Sequence, residues 1–273
     1  MSGHTISAPV LPLAEGSSLA CGLTVLEHIS RNEVMDVYDV WDESRYCRCV
    51  AKTLRPGFER YPRDLARLQR EGDLLQRFTH PHLVRCYETR PGPPPIILLE
   101  ALSGETLSHL IAHRQRRLST RELAILGLQI GSATRYLHQA GWLHLDLKPS
   151  NVIIEDGLAK LLDLSLVRPP GMNRAGVGTR PYLAPEQARG GELTTAADIW
   201  GLGALLFETA CGQPPFDDCD GCPYPQLRQR APRVRARRRL PGPFADAIDA
   251  CLHAEPVARP AIDSILETLE RFA

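Results

Sequence analysis

The run His144-Leu-Asp-Leu-Lys-Pro-Ser-Asn151, continuing into the apolar Val152-Ile153-Ile154, carries more information than any other part of this 273-residue chain. It sets an Asp, a Lys two residues later and an Asn three beyond that on one short loop ahead of a strand. A carboxylate, an ammonium and a carboxamide held this close suit phosphoryl transfer. Asp146 can accept a hydroxyl proton, Lys148 can offset charge on a moving phosphoryl group, and Asn151 can supply a metal ligand. A polar turn between two strands is the bland reading, and it requires no such combination at fixed spacing.

Outward from this run, the flanks read mainly as helix. Ser119-Thr-Arg-Glu122 is a capping box, and Leu123, Leu126, Ile130, Ala133 and Leu137 follow at helical spacing until Gly141 ends the pattern. Downstream, strands are expected around 152–154 and 160–162. A Pro/Gly-rich segment then leads to Ala184-Pro185-Glu186. Thr195-x-x-Asp198 caps a strongly apolar helix over 199–211, closed by Gly212, with shorter helical patterns at 244–253 and 261–272.

Before Ser103-Gly104 the pattern is mostly strand. Val25, Ile29, Val34, Val37, Val40 and Trp41 suggest a hairpin meander, and 46–54 alternates, with Arg48, Val50 and Lys52 on one face and Cys47, Cys49 and Ala51 on the other. A helix over 63–78 carries Leu65, Leu68, Gly72, Leu75 and Phe78 as its stripe and stops at His80-Pro81. Two further strands, 83–88 and 96–100, flank a Pro/Gly turn. Residues 1–22 read as a loosely held leader.

Composition excludes several classes. The chain is 43% hydrophobic and 23% charged with zero formal net charge, so no overall field favours nucleic acid or an anionic membrane. No apolar run approaches the roughly 20 residues a membrane helix needs, and the N-terminal text is not that of a signal peptide. Eight scattered cysteines suit a reduced, cytoplasmic chain.

The 144–151 run resembles the catalytic loop of protein kinases, usually H-R-D-L-K-P-x-N. Asp163-Leu164-Ser165, twelve residues after Asn151, stands where that family has D-F-G. Gly178-Thr-Arg-Pro-Tyr-Leu-Ala-Pro-Glu186 is similar to G-T-x-x-Y-x-A-P-E, and Asp198-Ile-Trp-Gly-Leu-Gly203 to D-x-W-x-x-G. The likeness covers roughly 23–272, and the text looks like that of the bacterial eukaryotic-like Ser/Thr kinases.

The resemblance implies an α+β, two-lobed protein-kinase-like fold. The N-lobe, 23–102, would hold a five-stranded sheet and one helix, and the larger C-lobe, 103–273, would be mainly helical. It implies ATP and Mg²⁺ as cofactors and a protein Ser/Thr hydroxyl as acceptor. Asp146 would orient or deprotonate the acceptor and Lys148 would stabilise the transferring group. Lys52, fixed by Glu71, would position the phosphates, and Asn151 and Asp163 would hold the metal. At the adenine end, Leu99 would be the gatekeeper, Glu100 to Leu102 the hinge, Val50 the roof and Ile153 the floor, with Val37 also contacting the nucleotide. Leu164 would pack in an apolar column with Leu75, Cys86 and His144. Thr179 would contact Asp146, Glu186 would pair with Arg259, and Asp198 would hold the catalytic-loop backbone.

Three departures stand out. The glycine-rich loop, G-x-G-x-x-G-x-V in the family, reads Ser30-Arg-Asn-Glu-Val-Met-Asp-Val37 without a glycine. Asn32 tolerates the left-handed region, but Met35 is bulky, and Glu33 and Asp36 would repel phosphate if they pointed inward. Val50 replaces the usual Ala. Leu145 replaces the Arg that grips an activation-loop phosphate, and no Ser, Thr or Tyr lies between Leu166 and Gly178, so activity independent of loop phosphorylation is expected. The alternative is a pseudokinase, serving as a nucleotide-binding or scaffolding module. Two weaker signals remain. Cys219-Asp-Gly-Cys222 is half of a zinc knuckle, and seven arginines in 228–239 form either a solvated face or a docking patch for an acidic partner.

Overall fold

The computed structural model describes residues 11–113, 116–216 and 223–273. The chain forms two compact units. The first runs to Thr79 and resumes over Val84–Leu102, and the second comprises His80–Leu83 and Ser103–Ala273.

The first unit is an antiparallel sheet with one helix. Its strands are β1 (Ser18–Ala20), β2 (Leu23–Arg31), β3 (Met35–Asp42), β4 (Cys47–Leu54), β5 (Cys86–Arg90) and β6 (Ile96–Glu100), in the order β1-β2-β3-β4-β6-β5. Alternation in β4 buries Cys49 and Ala51 in a cluster with Leu23, Val25, Tyr38, Val40 and Leu98, and leaves Arg48, Val50 and Lys52 on the opposite face.

The sheet thus has six strands where five were expected. The extra one, β1, lies in the stretch read as a leader. The Val25 N–H donates to Ser17 O at 2.9 Å, the Gly16 N–H donates to Val25 O at 2.9 Å, and Leu19 enters the core. Three residues are too few to show a period. The strand expected at 83–88 is displaced to Cys86–Arg90, because Leu83 bridges to Leu161 and His82 O accepts the Leu161 N–H, both within the second unit.

Helix α1 (Pro62–Arg77) lies on the Lys52 face of the sheet. It buries Leu68, Gly72, Leu74 and Leu75, together with Glu71, which periodicity assigned to no face. Gly72 sets the approach: a Cβ there would stand 2.5 Å from Thr89 Cγ2. Thr89 pairs with Ile97, and Ile97 pairs with Lys52, so the close helix–sheet approach at Gly72 brings the neighbouring Glu71 toward Lys52.

The second unit begins with β7 (Glu105–Thr106), α2 (Leu107–His113) and α3 (Thr120–Gln139). Then follow β8 (Val152–Glu155), β9 (Leu158–Leu161), β10 (Gly171–Asn173), α4 (Pro185–Arg189), β11 (Gly191–Leu193), α5 (Thr195–Cys211), α6 (Gly242–Cys251) and α7 (Ile262–Glu270). The Ser119/Glu122 capping box forms in full at the start of α3. Helix α5 is buried from Ala197 to Cys211 and ends at Gly212 in the left-handed region, so it is the core around which the unit packs. The small sheets are β7-β8-β9 and β10-β11, and the second was not expected.

Most of the arginines in 228–239 are exposed, as a solvated face requires, but Val234 is buried. Arg238 is half-buried and donates to Ala210 O at the end of α5 and to Leu118 O. Cys219 and Cys222 lie outside the described residues. No described helix is long and apolar enough to cross a membrane.

Candidate active site

The 144–151 loop is held from below. Asp198, at the first turn of α5, is fully buried and accepts the backbone N–H groups of His144 and Leu145, each at 2.7 Å, and the His138 ring at 2.8 Å. Burial would raise the Asp198 pKa, but the His138 hydrogen bond, its charge and the Leu145 N–H outweigh it and hold the carboxyl below its usual range. This grip sustains an uncommon backbone: Leu145 is a non-glycine residue at φ 67° with its side chain buried. Burial pushes the His144 pKa down, and its Nδ1 accepts the Asp146 N–H at 3.3 Å.

Above that floor the polar groups converge. Thr179 Oγ1 donates to Asp146 Oδ1 at 2.7 Å, Asn151 Nδ2 donates to Asp146 Oδ2 at 2.9 Å, and Lys148 Nζ lies 2.7 Å from Oδ2. Lys148 also donates to Thr179 Oγ1 at 2.6 Å. An ionised carboxylate offers about four lone-pair sites, so three donors orient Asp146 and leave capacity for a fourth hydrogen bond, such as one from an acceptor hydroxyl. Both amide protons of Asn151 go to Asp146, the second to its backbone O at 3.0 Å, which leaves Oδ1 to face a cation. Asp163 Oδ1 accepts the Ser165 N–H at 2.8 Å, and Leu162 N–H donates to Asn151 O at 3.0 Å. One amide oxygen and one carboxylate fit Mg²⁺, which takes few protein ligands and fills its octahedron with water and phosphate oxygens. Among the described residues no cluster of three His, Cys, Asp or Glu is disposed to hold a metal.

The segment after Asp163 is tied down by its own chain. Leu143 and Arg168 exchange backbone hydrogen bonds at 2.8 and 3.1 Å, β10 pairs with β11, and Arg168 donates to Asn173 Oδ1 at 2.6 Å. Buried Gln187 donates to Leu145 O at 3.1 Å.

In the first unit, Lys52 Nζ lies 2.7 Å from Glu71 Oε1, a pair with little exposure. Val37 and Ile97 flank Lys52 across the sheet, and Val50 faces Leu99, so the expected roof and gatekeeper residues share the Lys52 face. Asp39 sits on that face too, paired with Arg48. Glu100 ends β6, its carboxylate accepting the Arg85 N–H at 2.8 Å, and Leu102 ends the unit. Ile153 is half-buried on β8 between Thr106 and Lys160.

The β2–β3 tip differs from what its sequence suggested. Asn32 Oδ1 accepts the Val34 and Met35 N–H groups at 2.9 and 2.8 Å, the Asn32 N–H donates to Met35 O at 3.0 Å, and Arg55 donates to the carbonyls of Asn32 and Glu33. None of residues 30–37 has a positive φ, so the hairpin closes without the conformations that favour glycine. Asp36 does not project toward a phosphate. It is buried, gripped by Arg31 at 2.6 and 2.8 Å and by His28 at 3.1 Å.

The family model of the protein kinase domain matches residues 23–269. The chain belongs to the protein kinase family. Its relatives include a probable serine/threonine-protein kinase of Streptomyces coelicolor, 31% identical over 223 residues, and that organism's kinase PkaA, 32% identical over 223 residues. Mycobacterium tuberculosis PknB is 32% identical over 180 residues. These matches take in 76%, 76% and 61% of this chain but 33%, 40% and 29% of the relatives, so the chain spans a third or so of their length. The crystal structure of the Mycobacterium tuberculosis PknI kinase domain superposes with a TM-score of 0.74 at 23% identity, covering 96% of this chain and 100% of that one. A C20A mutant of that domain gives 0.75 at 22% identity, covering 96% and 99%. The fold is that of a two-lobed kinase.

Several residues that position this chain's polar groups were not singled out from sequence. Nothing in the residue pattern marks His138 or Gln187 for such a role. Glu208, which accepts the Tyr182 hydroxyl at 2.6 Å, did carry a signal: it is a carboxylate ten residues beyond Asp198, inside the apolar run of the most apolar helix. Burial pushes both its carboxyl and the Tyr182 hydroxyl up. The expected pair Glu186–Arg259 is present and bidentate, at 2.6 and 2.8 Å.

Proposed function

We propose that this chain transfers the γ-phosphoryl group of ATP to Ser or Thr hydroxyls of a protein, and that it does so without phosphorylation of its activation segment. The arrangement around Asp146 carries the reading. Asp146 receives or orients the acceptor hydroxyl, Lys148 beside it offsets negative charge on the transferring group, and Thr179 keeps the two in register. Asn151 and Asp163 would hold Mg²⁺, which when bound neutralises charge on the phosphates. Lys52, fixed by Glu71, would meet the nucleotide's phosphates, with Val37, Val50, Glu100, Leu102 and Ile153 around its base. Catalysis of this kind is mostly positioning, and the groups are already hydrogen-bonded into position.

Independence from loop phosphorylation is supported by what holds the segment. Leu145 is buried rather than poised to bind a phosphate, and β10–β11, the Leu143–Arg168 bridge and Gln187 supply the order that a phosphate supplies elsewhere. A reducing cytoplasm is the proposed location, since the six described cysteines are all free thiols.

One observation favours the second reading, a pseudokinase. Asn32 and the hairpin backbone engage the Asn32, Val34 and Met35 N–H groups, the kind of donor a phosphate would otherwise use. Labelled ATP with Mg²⁺ separates the two readings. Label on the protein or a basic substrate that is lost in Asp146→Asn and Asp163→Asn establishes the enzyme. Thermal protection by ATP without label leaves a nucleotide-binding module, and neither leaves a scaffold.

A further inference from the structure

At the C-terminal end of α5, helices α2 and α3 and the β8–β9 turn enclose a cavity of about 380 Å³. Asp198 and Thr209 mark the two ends of this stretch of α5, about 16 Å apart along the helix axis, so the cavity is separate from the site around Asp146. Leu107 and Leu126 form its buried floor, while Leu110, Ile111 and Ile125 remain half-exposed around it. This is the size and apolar character of a ligand pocket.

Its mouth is cationic. Arg116 is neutralised by Glu122 through two bonds of 2.9 and 3.0 Å. Arg117 makes only a 3.4 Å bond to Arg237 O, Arg237 bonds the Gln213 amide oxygen, and Arg238 bonds the carbonyls of Ala210 and Leu118. Three guanidiniums from two distant segments are therefore gathered beside the cavity, and among the described residues none has a carboxylate partner. Burial, with a further push from the neighbouring Arg117, lowers the Arg238 pKa.

We propose that this cavity and its arginine rim are a docking site for an acidic peptide segment that carries an apolar anchor. Complementarity selects the occupant: the lining takes a Leu-like side chain, and three guanidiniums without a carboxylate partner among the described residues call for several carboxylates spaced along a chain. A fatty acid brings only one. Bound there, a peptide belonging to a substrate would raise its effective concentration at the catalytic loop and lower KM with kcat unchanged.

The test is fluorescence anisotropy of the native chain with a labelled peptide of sequence Glu-Asp-Leu-Leu-Asp-Glu, which needs no kinase activity. Saturable binding is expected, weakened about tenfold by Arg117→Glu and by Ile125→Gln, and again when both peptide leucines become serine. Unchanged melting temperatures show that the variants fold. Equal binding of the serine peptide would reduce the attraction to charge alone and overturn the proposal. Indifference to both variants would place the peptide elsewhere. Laurate binding in the absence of peptide binding would make the cavity a lipid site and overturn it as well.

Discussion

The β2–β3 tip and the 144–151 loop are both polar loops closed by carboxylate and amide side chains, yet closure has opposite consequences. In the second unit the closing group is outside the loop. Buried Asp198 takes two backbone N–H groups from beneath and leaves Asp146, Lys148, Asn151 and Thr179 converging on one another. In the first unit the closing group is part of the loop. Asn32 consumes two of the tip's N–H groups, and Arg31 and His28 draw Asp36 into the sheet. What a loop can offer a ligand depends on which donors its own fold has used.

The largest test of this contrast is Asp146→Asn. Transfer should fall by about a thousandfold or more while the melting temperature holds, measured with labelled ATP. A loss below tenfold would mean that the convergence on Asp146 is not the reaction centre. Asp198→Ala, by stranding the His144 and Leu145 N–H groups and the His138 ring, should cost about 3–5 kcal/mol in urea unfolding. A cost under about 1 kcal/mol would mean that the loop holds its left-handed Leu145 unaided. Gly72→Val should drive α1 from Thr89, cost about 1–3 kcal/mol, and part Lys52 from Glu71, seen as a raised KM for ATP. An unchanged KM would uncouple helix packing from that pair.

Acid should undo both closures from the same side. The pKa values of Asp36 and Asp198 are each held below the ordinary 3.8 despite burial, by Arg31 and His28 in one case and by His138 and backbone N–H groups in the other. Each therefore contributes stability that is complete above pH 3.8 and fades as pH falls below it. Asp36→Asn and Asp198→Asn should each flatten the acid-unfolding curve in that range, and a curve parallel to the native one would exclude the residue. The smallest effect belongs to Asn32→Gly. Freeing the Val34 and Met35 N–H groups should tighten ATP binding by a few-fold at most, measured by calorimetry, and weaker binding would show that the closed tip itself serves the nucleotide.

Sequence was most informative where chemistry demands particular residue types at particular spacing. Asp146, Lys148 and Asn151, the Ser119 capping box, the alternation of β4 and the Glu186–Arg259 partnership could all be read, because local periodicity or a family pattern carries them. Short elements could not. Strand β1 is three residues long, β10 and β11 are three residues each and pair across a Pro/Gly-rich segment, and Leu83 looks the same whichever sheet it joins. The direction of a side chain was equally hidden: Asp36 would repel phosphate only if it pointed inward, and the fold instead makes it a buried partner of Arg31.

Residue order by itself determined the kinase family, the identity of the polar groups and the absence of glycine from 30–37. Tertiary structure alone decided how those groups are used. It buried Asp198 beneath the loop, turned both amide protons of Asn151 to Asp146, and gathered Arg117, Arg237 and Arg238 beside an apolar cavity. The reason is physical. Residue types and short periods are local properties of a chain, whereas burial and the pairing of donors with acceptors depend on which distant segments the fold brings into contact.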